Sequence, residues 1–167
     1  MTAPGEWNGE EPLVAFRFRS MSQADAEAIA RWHYPAPFSF YDWTSDPDDL
    51  AELLDPTARG DDYLAVEDGD GTLIGFFHYK RPHGTKLEIG LGLHPDWTGH
   101  GLGRRFLEAG LEYGRRRFAP KQFTLSVASF NRRAITVYER AGFARVRVFT
   151  HWTNGGEWEF VEMQRSA

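Results

Sequence analysis

Two segments of the sequence carry residue types that can bind a phosphate and handle a proton. Residues 98–103 read Thr-Gly-His-Gly-Leu-Gly and lead into a helix-patterned stretch. A glycine-rich turn that opens a helix presents unpaired backbone N–H groups and the positive end of the helix dipole, which together favour an anion. Further along, Asn131, Ala134 and Tyr138 fall on one helical stripe, and residues 142–143 are Gly-Phe. The first segment predicts an anion site, and the second aligns an amide and a phenol.

The spacing of the glycines separates this turn from two familiar nucleotide-binding motifs. A dinucleotide fingerprint needs Gly-x-Gly-x-x-Gly, and a P-loop needs a lysine followed by serine or threonine after its last glycine. Here the glycines stand at 99, 101 and 103, and Arg104 and Arg105 follow. A nucleotide-binding domain is therefore disfavoured. Glycine-rich turns also close strand-to-helix connections for conformational reasons alone, so the turn by itself leaves both interpretations open.

The second segment has a purely structural interpretation as well. Asn131 is a good helix N-cap, Ala134 favours a helix, and Tyr138 suits a half-buried core position. Gly142 would then close the helix at its C-terminal end. Each residue fits this interpretation when it is taken separately.

The combination of the two segments resembles the GNAT superfamily of N-acetyltransferases, whose members bind acetyl-CoA. Their pyrophosphate loop reads Gln/Arg-x-x-Gly-x-Gly/Ala, and Thr98, Gly101 and Gly103 occupy those positions here. Their later helix reads Asn-x-x-Ala-x-x-x-Tyr-x-x-x-Gly-Phe, which residues 131–143 match completely. Thr98 replaces the usual Gln or Arg, so one side-chain contact of that loop is missing from the pattern.

The resemblance implies a cofactor site for acetyl-CoA, used as a cosubstrate without a metal. The backbone N–H groups of the glycine-rich loop would hold the pyrophosphate, the backbone of strand 86–94 would pair with the pantetheine arm, and Asn131 would hold that arm. The cofactor-binding residues expected on this basis are Leu91, Leu93, Thr98, Gly99, His100, Gly101, Leu102, Gly103, Arg104, Asn131 and Ala134. The hydroxyl of Tyr138 would lie near the sulfur and protonate the departing thiolate.

The strand at 86–94 has two unlike faces. Leucine and isoleucine alternate on one face, whereas Glu88, Gly90, Gly92 and His94 lie on the other. Glycines inside a strand mark a bulge or a close approach by a ligand or another backbone. The alternative is that Gly90 and Gly92 make room for a bulky aromatic ring from elsewhere in the core.

Acetyl transfer to an amine needs a neutral amine, donors for the oxyanion and a proton for the thiolate. We expect Glu88 to act as the base, directly or through water, with His94 as the second candidate. An ordinary ion pair of Glu88 with Lys86 or a neighbouring arginine is the alternative. Because the chain has no cysteine and no Gly-x-Ser-x-Gly elbow, direct attack in a ternary complex is expected rather than an acyl-enzyme.

An aromatic segment at 32–43 and a late hairpin around 151–158 are the expected sites of acceptor selection. Exposed aromatic rings beside a carboxylate suit a cation with an apolar body, such as a small amine or a peptide N-terminus. The alternative is that the rings close the core over the first helix. The substrate-binding candidates are Tyr34, Phe38, Tyr41, Asp42 and Trp43.

Composition bounds the class of protein. The chain of 167 residues is 41% hydrophobic and is expected to form one domain over residues 12–164, after a flexible N-terminus at residues 1–11. No apolar stretch is long enough to span a membrane and no export signal is visible, so a cytoplasmic protein is expected. The net charge of −5 argues against nucleic acid as a partner, and a homodimer is compatible with the sequence. No histidine pair has the spacing of a metal site.

The pattern of elements predicts an α/β fold with a mixed sheet, in the order β-α-α-β-β-β-α-β-α-β-β. The predicted strands and helices are, in chain order, a strand at 13–19, a helix after Ser22, a helix at 47–54, strands at 63–67, 73–80 and 86–94, a helix at 101–118, a strand at 122–127, a helix from Asn131, and strands at 144–152 and 157–163. This order is that of the GNAT fold. A GNAT-fold module that binds an acyl-CoA as a sensor or partner, without turnover, is the rival function.

Overall fold

A computed structural model describes residues 15–81 and 84–167 and shows one seven-stranded mixed sheet with helices on both faces. The strands are β1 (Arg17–Ser20), β2 (Tyr63–Glu67), β3 (Leu73–Lys80), β4 (Lys86–Leu93), β5 (Gln122–Ala128), β6 (Ala144–Thr153) and β7 (Gly156–Ser166). The helices are α1 (Gln23–Ala30), α2 (Pro47–Leu54), α3 (Pro56–Arg59), α4 (Gly103–Phe118) and α5 (Arg132–Arg140). The predicted fold class is confirmed.

Two features of the N-terminal half differ from the predicted order. A single-turn helix, α3, follows α2, because Asp55 caps a new turn that begins at Pro56. The proline-rich aromatic segment, for which the sequence predicted no element, forms two 3-10 turns, at Phe38–Tyr41 and Trp43–Ser45. The expected flexible N-terminus and the first residues of the predicted first strand lie outside the described residues. Within the described ranges, no helix is both long and apolar enough to cross a membrane.

The strands lie in the order β1-β2-β3-β4-β5-β7-β6. All neighbouring pairs are antiparallel except β4 and β5, which are parallel and joined through α4. Because a parallel pair needs a long crossover, α4 lies on one face of the sheet and begins at the C-terminal end of β4. The turn between β4 and α4 is therefore at the edge where β4 and β5 end.

Two apolar clusters cover the two faces of the sheet. The larger one joins α4 and α5 to the strands through side chains such as Phe77, Phe106 and Phe123, all at most 1% exposed. The smaller one packs α1 and α2 onto β2 and β3 through Ile29, Leu53 and neighbours. The sheet is thus clamped by α4 and α5 on one side and by α1 and α2 on the other.

Two glycines let α4 lie directly on the sheet. A Cβ on Gly110 would lie 2.1 Å from ring atoms of Phe77, and one on Gly114 would lie 3.1 Å from the ring of Phe123. The hydroxyl of Tyr79 also donates to the carbonyl of Gly110 at 2.7 Å. Close packing of this kind resists added volume, so the C-terminal half of α4 is held rigidly against the sheet.

Candidate active site

The centre of the sheet opens because β4 and β5 pair only at their first residues. The parallel register runs from Lys86 opposite Gln122 to Glu88 opposite Thr124, and then stops. From there the two strands diverge and leave a gap, here called the β4–β5 cleft, between residues 89–93 and residues 125–128. The cleft is an opening in the sheet into which an extended ligand fits between two strands.

The backbone of Leu91 and Leu93 faces the β4–β5 cleft. The N–H group of His94 donates to the carbonyl of Ile74 in β3 at 2.8 Å. Since hydrogen-bonded and non-hydrogen-bonded residues alternate along an antiparallel strand, Leu91 and Leu93 direct their N–H and C=O groups away from β3. These are the groups that the resemblance to GNAT enzymes implies for the pantetheine arm.

A cavity of about 670 Å³ occupies the cleft and its surroundings. Eleven sequence-predicted site residues line it, namely Tyr34, Phe38, Tyr41, Asp42, Trp43, Glu88, Leu91, Leu93, Thr98, Asn131 and Tyr138. The other predicted cofactor residues do not line it, namely Gly99, His100, Gly101, Leu102, Gly103, Arg104 and Ala134. Most of the latter form the loop that follows Thr98 and the start of α4. The structure therefore separates the cavity from the predicted phosphate loop, with Thr98 at their junction.

The glycine-rich loop requires two of its glycines for their backbone conformation. Gly99 and Gly101 have φ of +77° and +74°, and a Cβ added to either would meet no other atom within 4 Å, so crowding is not the reason for glycine there. The side chain of Leu102 cannot cap α4, and the first helical bond runs from the Phe106 N–H to the Leu102 carbonyl at 2.9 Å. The helix thus begins without a side-chain cap, at the end where the dipole favours an anion.

Thr98 turns its side chain back into the preceding turn. Its hydroxyl donates to the carbonyl of Pro95 at 2.7 Å, in the place where relatives of the resembled family carry a longer Gln or Arg. The side chain therefore stabilises the 3-10 turn Pro95–Trp97. The hydroxyl proton of Thr98 is therefore used within this turn.

The side chain of Asn131 makes two hydrogen bonds, one of which is the predicted N-cap bond of α5. Its Oδ1 accepts from the N–H of Ala134 at 3.1 Å, which is the N-cap bond of α5. Its Nδ2 donates to the hydroxyl of Tyr41 at 3.2 Å on the cavity side. The side chain is therefore fixed by α5, with its amide nitrogen turned towards the cavity.

Tyr138 lies two turns further along α5 and lines the cavity. Its ring packs edge-on against Phe143 with centroids 6.1 Å apart, and its hydroxyl has no hydrogen-bond partner among the described residues. Burial raises the pKa of Tyr138, and the neighbouring Tyr41 raises it further. The phenol is therefore protonated at neutral pH and can act as a proton donor.

Glu88 faces the cavity opposite Lys80 of β3. The two residues are register partners across the β3–β4 pair, so their side chains share one face of the sheet. No cation of the described residues pairs with the Glu88 carboxylate, which argues against the alternative of an ordinary ion pair. His94, the second candidate base, instead accepts the Asp96 N–H through Nδ1 at 3.1 Å and packs against Trp32 at 5.0 Å.

The two glycines of β4 differ in whether an aromatic ring or open space lies next to them. A Cβ on Gly92 would lie 2.5 Å from the ring of Phe76, so this glycine makes room for an aromatic ring from β3. Gly90 has only ordinary contacts, with the nearest atom at 3.7 Å in His78, and its exposed position leaves open space on the cavity side. The alternative interpretation is therefore correct at Gly92, whereas Gly90 lies on an open part of the strand.

The aromatic segment bridges the β4–β5 cleft. The hydroxyl of Tyr34 donates to the carbonyl of Leu93 at 2.7 Å on the β4 side, and that of Tyr41 accepts from the N–H of Ala128 at 3.3 Å on the β5 side. Asp42 holds the start of the segment by accepting the Tyr34 N–H at 2.8 Å. The Leu93 carbonyl already has a side-chain partner, so Leu91 is the residue of the pair with the more accessible backbone.

The late hairpin also lines the cavity, through His151, Thr153 and Asn154. Thr153 donates to Asp46 at 2.6 Å, and the amide of Asn154 donates to the carbonyl of Phe40 at 2.7 Å. The hydrogen bonds to Asp46 hold its pKa below the usual value, the bond from Thr153 being the strongest. Trp43 packs onto Phe76 at 5.6 Å, so part of the aromatic segment does close the core.

Several polar residues of the cavity were not among the predicted site residues. They are Asp49 of α2, His78 and Lys80 of β3 and Arg133 of α5. His151 of β6 also lines the cavity and lies in the late hairpin that the sequence indicated. Burial, with help from Lys80, lowers the pKa of His78 to about 3, so its imidazole is neutral. Burial and the nearby Asp46 carboxylate raise the pKa of Asp49. The alternation of β3 is the only signal that could have placed His78 and Lys80 on the face of Glu88.

Sequence comparison identifies the family to which this domain belongs. The profile of the acetyltransferase (GNAT) domain family matches residues 16–144. The chain therefore belongs to the GNAT acetyltransferase family.

Individual relatives and solved structures are similar over different extents. Mycothiol acetyltransferase from Geodermatophilus obscurus is 34% identical over 119 residues, which cover 66% of this chain and 37% of that protein. The same enzyme from Saccharopolyspora erythraea is 40% identical over 84 residues, covering 50% and 27%. The chain thus spans about a third of the length of these relatives. Spermidine N-acetyltransferase from Vibrio cholerae, solved with CoA and spermine, superposes with a TM-score of 0.74 at 22% identity, covering 90% of this chain and 95% of that one. At this identity the likeness concerns the fold.

Proposed function

We propose that this chain is an acetyl-CoA-dependent N-acetyltransferase that moves an acetyl group to a primary amine by direct attack in a ternary complex. The observation that carries the proposal is the β4–β5 cleft. It presents unpaired strand backbone at Leu91 and lies between Thr98, where the glycine-rich loop begins, and Tyr138. An extended thiol-ended arm with an anionic head matches that arrangement.

The described residues fit such a cosubstrate. The uncapped start of α4 and the left-handed glycines at 99 and 101 supply N–H donors for a diphosphate. The Leu91 backbone can pair with an amide-bearing arm in the way that a strand is added to a sheet edge. Asn131 can donate to the same arm from the β5 side. Acetyl-CoA combines these three features, and its thioester would then lie beside Tyr138.

The chemistry assigns one task to each group at the inner end of the cleft. An alkyl ammonium has a pKa near 10, so the amine must lose a proton before it attacks. Glu88 attracts the cation and accepts that proton, directly or through water, while a strand N–H group near Leu91 donates to the developing oxyanion. As the carbon–sulfur bond breaks, the thiolate leaves with the electron pair and receives the proton of Tyr138.

The acceptor is proposed to be a small amine or a peptide N-terminus. The cavity wall combines the rings of the aromatic segment with the carboxylates of Asp42, Asp49 and Glu88, which suits a cation that has an apolar part. The names of the similar proteins, mycothiol acetyltransferase and spermidine N-acetyltransferase, support an amine of small size. We further propose a cytoplasmic protein that acts without a metal and without nucleic acid.

A panel of amines tests the proposal by release of free thiol from acetyl-CoA. The panel contains polyamines, amino sugars, amino acids and short peptides, each at several concentrations, with NAD and ATP as competitors. Thiol release that depends on one class of amine supports the enzyme. Tight binding of acetyl-CoA without release across the panel would instead indicate a sensor module, and displacement by NAD or ATP would indicate a nucleotide-binding domain.

The glycine-rich loop has its own test in Gly101→Ala. Because φ at this position is +74° and no atom crowds a Cβ, the substitution strains only the backbone, at a cost of about 1–2 kcal/mol. We expect the KM for acetyl-CoA to rise about tenfold with little change in the KM for the amine. Gly69→Ala, in the β2–β3 turn with no positive φ and no atom near a Cβ, is the matched control. Equal behaviour of the two variants would remove the loop from the site.

A further inference from the structure

One wall of the cavity carries a positive and a negative side chain next to each other. Lys80 of β3 and Glu88 of β4 are register partners, and both line the cavity. Directly opposite residues of an antiparallel pair have Cβ atoms about 5 Å apart on one face of the sheet. Neither side chain forms an ion pair, with the other or with any of the remaining described residues. Both charges are therefore available to a ligand.

The charge of Lys80 acts on groups on two sides of the cavity. Burial is the main cause of the lowered pKa of His78 in β3, and Lys80 lowers it further. Burial and Asp46 raise the pKa of Asp49 in α2, and Lys80 opposes that rise. His78 and Asp49 both line the cavity, so the ammonium group of Lys80 lies on the cavity side of the sheet.

Open space and then aromatic rings follow the charged pair on the same face. The next residue of β4 on this face is Gly90, where an added Cβ would meet no atom closer than 3.7 Å. Beyond it, Phe76 of β3 lines the cavity, and Trp43 packs on Phe76 with ring centroids 5.6 Å apart. The wall therefore passes from two opposite charges, through an open position, to apolar rings.

We infer that the acceptor in the proposed acetyl transfer is an α-amino acid with a free carboxylate and an apolar side chain, and the inference rests on that proposed function. The ammonium and the carboxylate of such a molecule are attached to one carbon atom, so a single ligand presents both charges to adjacent residues. Lys80 donates to the carboxylate, and Glu88 attracts the ammonium. The apolar side chain extends over Gly90 towards the rings.

Lys80 selects the acceptor and takes no part in the proton transfers. The ammonium gives a proton to Glu88 or to water, and the amine nitrogen then forms a bond to the acetyl carbon. The carbon–sulfur bond breaks, and its electron pair leaves on the sulfur. The carboxylate is unchanged and stays with Lys80 throughout. A peptide N-terminus or a plain amine has no carboxylate at this place and would leave Lys80 without a partner.

Arg133 of α5 is the rival for the carboxylate. It is the one other lysine or arginine among the described residues that line the cavity. Its guanidinium lies 4.3 Å from the centre of the Phe38 ring, and it follows Asn131 by two residues, on the side proposed for the pantetheine arm. Lys80 is the cation that stands next to the proposed base.

Paired acceptors test the inference by thiol release from acetyl-CoA. The probes are alanine, leucine and phenylalanine, each beside its amide, which keeps the side chain and mimics a peptide N-terminus. The ratio of kcat/KM for the amino acid to that for its amide is compared between the parent and Lys80→Gln, so the intrinsic reactivities of the two amines cancel. We expect this ratio to fall about tenfold in Lys80→Gln, as for loss of one charged hydrogen bond, with the KM for acetyl-CoA within about twofold.

Three further variants separate this role from a general effect of charge. Lys80→Arg keeps the positive charge and should retain most of the ratio. Lys121→Gln removes the same charge from an exposed lysine that does not line the cavity, and it should leave the ratio unchanged. Arg133→Gln should leave the ratio unchanged as well. Urea denaturation of each variant establishes that it is folded.

The results that reject the amino-acid acceptor differ from those that reject the enzyme. An unchanged ratio in Lys80→Gln, an equal loss for the amino acids and their amides, or a fall in the ratio in Arg133→Gln instead would each overturn the role of Lys80. Thiol release with other amines but with none of the six probes would overturn the acceptor class. All of these results leave the acetyltransferase in place, whereas a parent chain that releases no thiol with any amine would reject the proposed function itself.

Discussion

The two ends of the β4–β5 pair have opposite structures. At the closed end, Leu87 and Phe123 are register partners, and Gly114 of α4 lies directly on both. At the open end, beyond Glu88, the same two strands diverge around a cavity of about 670 Å³. One pair of strands thus changes from close packing to an opening within a few residues. The closed end determines where the strands diverge, and the open end presents the backbone that a ligand can use.

This contrast predicts that stability and activity depend on different residues. Substitutions at the open end should change turnover and leave the free energy of unfolding nearly unchanged, because the side chains there face a cavity. Substitutions at the closed end and under the C-terminal half of α4 should do the reverse, because every atom there is in contact.

The largest effect is expected for Tyr138→Phe at the open end. Loss of a general acid typically costs a factor of 10² or more, so kcat should fall about a hundredfold. The KM for acetyl-CoA should stay within about threefold, since the ring is retained. Steady-state kinetics with the preferred amine measure both values, and a raised KM with an unchanged kcat would make Tyr138 a packing residue.

Gly110→Ala tests the packed region under α4. Its Cβ would lie 2.1 Å from the ring of the fully buried Phe77, so the helix or the ring must move. We expect the free energy of unfolding to fall by about 2 kcal/mol despite the better helix propensity of alanine. Urea denaturation measures the loss, with Gly69→Ala as a control that should stay within about 0.5 kcal/mol. A large loss of kcat in the folded variant would contradict the separation of the two regions.

Glu88 lies where the closed end and the open end of the β4–β5 pair meet. Glu88→Gln should lower kcat/KM about tenfold at pH 7. Raising the pH should partly restore the rate, because the neutral fraction of an amine with a pKa near 10 grows about tenfold per pH unit. A pH–rate profile of the variant beside the parent measures this, with Glu27→Gln on the exposed side of α1 as the control. A profile that is parallel to that of the parent would exclude Glu88 as the base.

The smallest effect concerns His78, whose pKa is lowered to about 3 by burial and by Lys80. The unfolded chain binds a proton at this residue below about pH 6.5, whereas the folded chain does not until far lower pH. Stability from this residue is thus present above about pH 6.5 and decreases as the pH falls, with a slope approaching about 1.4 kcal/mol per pH unit. Denaturation between pH 7 and pH 5 should show a shallower slope for His78→Gln, and equal slopes would be inconsistent with a neutral, buried imidazole.

Much of the fold was predictable because local chemistry specifies it. The alternation in β2 and β3 and the caps Ser22 and Asp46 act within a few residues, so the bounds of β2, β3 and α2 agree with the sequence prediction. The single turn α3 was not predicted, since a four-residue helix leaves no periodic signal. Residues 131–143 match the family motif completely, so α5 and the strands next to it in the chain were also predicted.

Residues of the candidate site were predictable where a motif or the pattern of their own element points to them. They were not predictable where only packing brings them into the site. Glu88 and Tyr138 were chosen from their own strand and helix, and both line the cavity. His78 and Lys80 entered the site only through their register with Gly90 and Glu88. The hydrogen bond between Tyr41 and Asn131 joins residues 90 positions apart, which no local pattern predicts.

The sequence by itself determined the elements, the family resemblance and the candidate residues for anion binding and proton transfer, because helix caps, strand alternation and glycine φ angles depend on near neighbours. Only the tertiary structure decided where β4 and β5 diverge, which glycine serves packing and which leaves space, and that two phenols share one cavity. Those properties depend on contacts between distant segments. They arise when α4 packs on the sheet and the aromatic segment closes over the cleft.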